Sequence, residues 1–246
     1  MSLPPLVLAA HGSPHPDHAP AILELRDQIG RQGDVQVGWL DFGEPDLAGA
    51  VALARETGNG RQGPAELRLR RRGAAIVVPL LLAAGFHARV DIPRMLSGVR
   101  RVIVTPTLGP DPRLADAVIR RLADAGTPKD DPIVLAAAGS SDEYAVAQVE
   151  SVAAALRELR PGAVRTGYLA GDGPSLAETV RGMTEGDDPV TVATYLLSSG
   201  TLADRVAEVG RAAGAAKITA PLGAAPEVVE LIRDRWLAAA PGGNSA

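Results

Sequence analysis

The chain contains no cysteine. Thiolate catalysis, disulfides, cysteine-ligated iron–sulfur clusters and cysteine-rich zinc sites are thereby excluded, so any metal must be held by histidine or oxygen donors. Aromatic residues make up only 3% of the chain and the formal charge is −4, which leaves few stacking platforms and no global field to recruit nucleic acid. Lysine is scarce as well, with Lys129 and Lys217 the two among 25 basic residues. No apolar run is long enough to span a bilayer. Leu3 to Ala10 is too short and lacks a basic flank and cleavage site, so it reads as a buried strand of a cytoplasmic protein with no membrane partner. No G-x-G-x-x-G follows directly on a strand-like run and no P-loop pattern is present, which leaves nucleotide-dependent chemistry without support. What is present is ample core: 46% of the residues are hydrophobic and 22% charged.

The chain is internally duplicated. Pro5 to Ser13 (PLVLAAHGS) returns as Pro132 to Ser140 (PIVLAAAGS), with His11 replaced by Ala138. Gly38 to Pro45 returns as Gly167 to Pro174, and Val77 to Val90 as Val192 to Arg205, where His87 falls opposite Leu202. Leu108 to Leu122 resembles Leu222 to Trp236, with Pro112 and Pro226 in the same place. Four collinear blocks imply two copies of a unit of roughly 120 residues, an ordinary domain size. The expected organisation is an N-terminal domain over 1–126, a polar linker within Asp124 to Asp131, a degenerate repeat over 132–237 and a disordered tail over 238–246. Because only the first copy keeps its histidines, scaffold and chemistry are separated, and function is sought in the first half.

Strand-like and helix-like runs alternate throughout. In the first unit, strands are expected over Leu6 to Ala10, Val35 to Leu40, Ala74 to Leu82 and Val102 to Thr105. Helices are expected over Ala19 to Arg31, Asp46 to Arg55, Val90 to Gly98 and Leu114 to Ala125, with a loop over Arg55 to Ala65. This βα alternation predicts an α/β fold: two tandem domains, each a parallel sheet with helices on both faces. In such sheets ligands bind outside the carboxyl ends of the strands. His11 ends the first strand, Asp41 follows the second, and His87 follows the third after Gly85, so three metal-binding or proton-carrying side chains fall on one rim.

His11-Gly12-Ser13 after an apolar strand, together with Val78-Pro79-Leu80-Leu81-Leu82-Ala83-Ala84-Gly85-Phe86-His87 and Asp91-Ile92-Pro93, resembles the sirohydrochlorin chelatases. The resemblance covers both halves, since the long form of that family is a tandem of two chelatase-like domains. It implies insertion of Co²⁺ or Fe²⁺ into sirohydrochlorin, on the way to cobalamin or sirohaem, with no cofactor beyond the metal substrate. His11 and His87 match the family's metal and proton-transfer histidines, and Leu82, Ala83, Ala84, Gly85 and Phe86 match the stretch that lines the macrocycle. Asp41 stands where the family often has a glutamate, and Pro14-His15 stand where it commonly has an arginine and an acid.

The chemistry suits these residue types. Insertion requires delivery of the ion and removal of two pyrrole protons, and imidazole both ligates cobalt or iron and exchanges protons near neutrality. Two histidines leave coordination positions open for the ring, whereas four strong ligands would retain the metal. Asp41 is expected to orient a histidine, or alternatively to form an Asx-turn before Phe42-Gly43. The substrate's eight carboxylates call for basic partners: Arg89 first, then Arg94, with Arg68, Arg70, Arg71 and Arg72 as lesser candidates. Ser13 reads as a turn residue at the pocket rather than a nucleophile, with no G-x-S-x-G elbow around it. His15 and His18 add imidazoles to the same loop. A non-catalytic metal or tetrapyrrole carrier on the same fold is the alternative, and a different tetrapyrrole a third reading. Two fused copies suggest that a monomer builds a complete cleft.

Overall fold

The computed structural model describes residues 3–30, 35–57, 74–186 and 188–240. The four arginines of 68–72, most of the loop expected over 55–65, and 241–246 of the expected tail lie outside the described residues.

The N-terminal sheet contains β1 (Leu6–Ala10), β2 (Val35–Trp39), β3 (Ala75–Pro79) and β4 (Val102–Val104), all parallel, in the order β2-β1-β3-β4. The C-terminal sheet contains β5 (Ile133–Ala137), β6 (Val164–Tyr168), β7 (Thr191–Thr194) and β8 (Lys217–Ile218), again all parallel, in the order β6-β5-β7-β8. The identical order is the duplication written in three dimensions.

Every residue of β1 is buried, which explains its continuous apolar run. Leu6, Leu8 and Ala10 face one core, Val7 and Ala9 another. The first of these cores is shared between the halves, because Ile133, Leu135 and Ala137 of β5 belong to it too. It is filled by α1 (His18–Ile29), α4 (Pro112–Asp124), α5 (Glu143–Leu159) and α8 (Pro226–Ala239). The outer faces are covered by α2 (Leu47–Thr57) and α3 (Ile92–Met95) on the N-terminal sheet. On the C-terminal sheet the cover is α6 (Leu176–Thr184) and α7 (Thr201–Ala212).

The helix that closes each half in sequence packs on the other half's sheet: α4 lies against β7 and α8 against β3. Arg113 in α4 reaches Asp234 in α8 at 2.5 Å, and Arg120 bonds Glu227 at 2.5 Å. The Arg120 guanidinium holds the Glu227 carboxyl below the usual carboxylate range, against the opposing effect of burial. Trp236 donates from Nε1 to the Pro4 carbonyl at 2.8 Å, tying α8 to the start of β1.

Two boundaries differ informatively from expectation. β3 stops at Pro79 rather than Leu82, because proline has no N–H to continue a ladder. Leu80 to Leu82 instead leave the sheet to form a wall. The helix expected from Val90 starts earlier, as a π-helical turn over His87–Asp91 that runs into α3. Such widened turns are frequent at functional sites.

Candidate active site

The strand order changes direction between β1 and β3, and the crevice beyond their carboxyl ends is where open α/β sheets bind ligands. His11 follows β1, Asp41 follows β2, and His87 opens the helical turn that follows β3. The two imidazoles meet there. His11 Nε2 lies 3.1 Å from His87 Nε2, with the ring planes inclined at 79°.

Each ring is held from behind by a carboxylate. His11 Nδ1 is 2.9 Å from Asp41 Oδ1, and His87 Nδ1 is 2.6 Å from Asp91 Oδ2. The Asp41 oxygen also accepts the Gly12 N–H at 2.6 Å, so it fixes backbone and ring together. With both Nδ1 protons directed at carboxylates, the two Nε2 lone pairs point at one another. A cation could be held between them. Both imidazoles are a little over two-fifths exposed.

Asp41 thus sits where a histidine-orienting acid was expected. Asp91 is the orienting acid that the sequence reading left without a role. Its signal was the spacing of four from His87, which pairs side chains once the helical turn begins at His87. Among the described residues no cluster of three or more histidine or acidic side chains converges on one point; the convergent donors are the two Nε2 atoms. Carboxylates behind ligating histidines typically govern metal affinity by 10- to 100-fold. Asp91→Asn is therefore expected to weaken Co²⁺ binding by roughly that factor with little change in thermal stability, as read by absorbance titration; unchanged affinity would remove Asp91 from the site.

Beside His11, which lines it while His87 stands just outside the lining, opens a cavity of about 540 Å³ between the two halves. Leu80, Leu81 and Leu82 form one wall, and Val146, Tyr195 and Leu197 belong to the other. Ser13, Leu82 and Ala83 line it as expected, whereas Ala84, Gly85 and Phe86 lie outside the lining, with Phe86 exposed. Among the described residues no lysine or arginine lines the cavity. Arg89 is ion-paired with Asp142 of the other half and so does not point into the cavity. Ser13 Oγ accepts the His15 N–H at 3.2 Å, and Ser140 Oγ accepts the Asp142 N–H at 3.0 Å. The copy lacking histidines keeps the same turn, so the serine's hydrogen bond belongs to the scaffold.

The second half grips the first around this site. Gln148 Oε1 accepts the Ala84 N–H at 2.7 Å, and the buried Tyr195 hydroxyl donates to the Leu82 carbonyl at 3.5 Å. Burial pushes the Tyr195 phenol well above its ordinary range, so it stays a neutral donor. His18 Nε2 donates to the His11 carbonyl at 2.7 Å, while its Nδ1 lies 3.1 Å from Ser198 Oγ and 3.2 Å from the Ser199 carbonyl. His15 Nε2 lies 3.0 Å from Asp204. His15 is thus turned toward the other half, and His18 bridges the His11 backbone and the loop of the other half.

Comparison with known proteins bears on the family and the fold. A family model described as CbiX matches residues 5–125 and again 132–239. The sirohydrochlorin cobaltochelatase of Methanopyrus kandleri is 27% identical over 150 residues, covering 49% of this chain and 95% of that protein. The sirohydrochlorin ferrochelatase of Bacillus subtilis is 33% identical over 140 residues; the match spans 53% of each, about half the length of that relative. In fold, the sirohydrochlorin chelatase SirB from Bacillus subtilis subspecies spizizenii, in complex with cobalt, superposes with a TM-score of 0.76. That match covers 98% of both chains at 20% identity. A structure of CbiX from denitrifying bacteria superposes with a TM-score of 0.67 at 21% identity, covering 96% of this chain and 99% of the other. With both halves of the sequence matched, the chain belongs to the CbiX family of sirohydrochlorin chelatases.

Proposed function

We propose that this chain inserts Co²⁺ or Fe²⁺ into sirohydrochlorin, with His11 and His87 presenting the ion and receiving the displaced protons. The observation that carries the proposal is the pair of Nε2 atoms, 3.1 Å apart at the edge of an apolar cavity. A cation at imidazole–metal distances of about 2.0–2.1 Å from both nitrogens would be held at a bite angle of about 95–102°. Two adjacent coordination positions are then filled by protein, and the rest are open to ring nitrogens and water.

The reaction replaces two N–H bonds of the ring with metal–nitrogen bonds and releases two protons. As the ion transfers, each imidazole is left with a free Nε2 lone pair, so two acceptors match two protons. Asp41 and Asp91 stabilise the imidazolium that forms in each case. The apolar walls suit the macrocycle, while its carboxylates remain at the solvent-facing mouth, consistent with a lining that holds no lysine or arginine among the described residues. One chain contributes both walls, which supports a monomer as the working unit.

Anaerobic absorbance assays of sirohydrochlorin with Co²⁺ and, separately, Fe²⁺ test the proposal. Multiple turnovers above the spontaneous rate are expected, and the rates with the two ions rank them as substrates. Stoichiometric binding of metal or pigment without turnover would mark the protein as a carrier.

A further inference from the structure

Phe42 is out of place by every structural criterion. Its φ is +42°, in the left-handed region that bulky side chains rarely adopt. Its ring is 73% exposed although it is among the most apolar side chains in the protein. It lines the cavity and directly follows Asp41, the acid behind His11.

The internal repeat shows what the backbone requires there. The residue matching Phe42 in the second half is Gly171, with φ +86°. Both copies thus pass through a left-handed residue at this position, although the turns differ beyond it, where Gly43 matches Asp172 and the Glu44–Pro45 peptide is cis. The conformation therefore belongs to the scaffold, and glycine meets it without steric cost. The half that carries the histidines instead places an aromatic ring there, accepting strain and exposure that give the fold nothing in return. Backbone strain of this kind is retained at functional sites. Leu202 of the other half, 50% exposed, lines the same cavity.

We propose that Phe42 is a substrate-contacting residue whose ring packs on the flat, conjugated face of the tetrapyrrole and holds it beside the His11–His87 pair. The proposal rests on the chelatase reading above and adds to it a residue for recognition of the macrocycle. An aromatic side chain suits a flat π-system, which it meets in offset or edge-on geometry.

The test is Phe42→Gly, which installs the second half's own residue, with Phe42→Trp and Phe42→Leu beside it. Sirohydrochlorin binding without metal is read by fluorescence, Co²⁺ binding without pigment by absorbance, and turnover by both. Phe42→Gly is expected to weaken pigment binding and raise KM about tenfold, with kcat within about twofold. Its Co²⁺ affinity should be unchanged and its Tm no lower than that of the wild type. Phe42→Trp should keep pigment affinity within about threefold, and Phe42→Leu should fall between. Pigment affinity unchanged in Phe42→Gly overturns the proposal. A loss of Co²⁺ affinity in step with pigment would make Phe42 a support for Asp41, and a lowered Tm would make it part of the fold; either result also overturns it. Failure of the wild type itself to bind or metallate sirohydrochlorin would instead overturn the chelatase reading, a separate and recognisable outcome.

Discussion

Alanine at His11 or at His87 is expected to lower kcat/KM for metal insertion by about a thousandfold, equivalent to roughly 4 kcal/mol of transition-state stabilisation. Each variant removes one of two metal donors and one of two proton acceptors, and the survivor cannot chelate alone. The double variant should therefore lose little more than either single one, the non-additivity expected of groups that act as a unit. Stability should hardly change, because both rings stand at the exposed edge of the sheet and neither belongs to a hydrophobic core. Single-turnover assays with Co²⁺, paired with thermal melts, check both halves of the expectation. Insertion within tenfold of wild type in either variant would remove that histidine from the chemistry.

The sheets were legible in the sequence because their central strands β1, β3 and β5 are buried on both faces. An uninterrupted apolar run such as Leu6 to Ala10 reads the same whether periodicity or burial is consulted. His11 and His87 were legible through the duplication, which set each against a non-titratable residue. Asp91 was visible yet unassigned, since pairing it with His87 depends on a helical turn that begins three residues earlier than the apolar period suggests.

Contacts across the halves were not legible at all. Arg89 looked free to bind a carboxylate because nothing local reveals Asp142, which reaches it from the other copy. The crossing of α4 and α8 onto each other's sheets is equally invisible, because an amphipathic helix encodes the width of its apolar stripe but not the identity of the surface it covers.

These cross-contacts give the second half a role despite its missing histidines. Gln148 and Tyr195 hold the backbone of Leu82 to Ala84, the segment between β3 and His87. His18 holds the His11 carbonyl to the loop at Ser198 and Ser199. Each histidine of the pair is thus braced on one side by its carboxylate and on the other by the degenerate copy. A half that lost its own chemistry still supplies one wall of the cavity and fixes the spacing of the two imidazoles.

Gly12→Ala is expected to be the most damaging single change at the site outside the histidines. A Cβ at this position would lie 1.8 Å from the Asp41 carbonyl oxygen and 3.1 Å from Asp41 Oδ1, so the β2 loop must move away. That movement breaks the 2.6 Å bond from the Gly12 N–H to Asp41 and carries the carboxylate off His11. Overpacking and the loss of a charged hydrogen bond together should cost roughly 3–5 kcal/mol of stability. The second copy provides the control. A Cβ on Gly139 would lie 1.8 Å from the Ala170 carbonyl oxygen, in the same turn but with no carboxylate attached. Gly139→Ala should therefore destabilise the protein at least as much, its φ of +94° adding strain, yet leave Co²⁺ affinity of the folded protein near that of wild type. Urea unfolding and Co²⁺ titration on the pair separate the two effects. If Gly12→Ala kept its metal affinity while losing stability, the link from Gly12 through Asp41 to His11 would be structural only, and orientation of the imidazole would have to come from elsewhere in the loop.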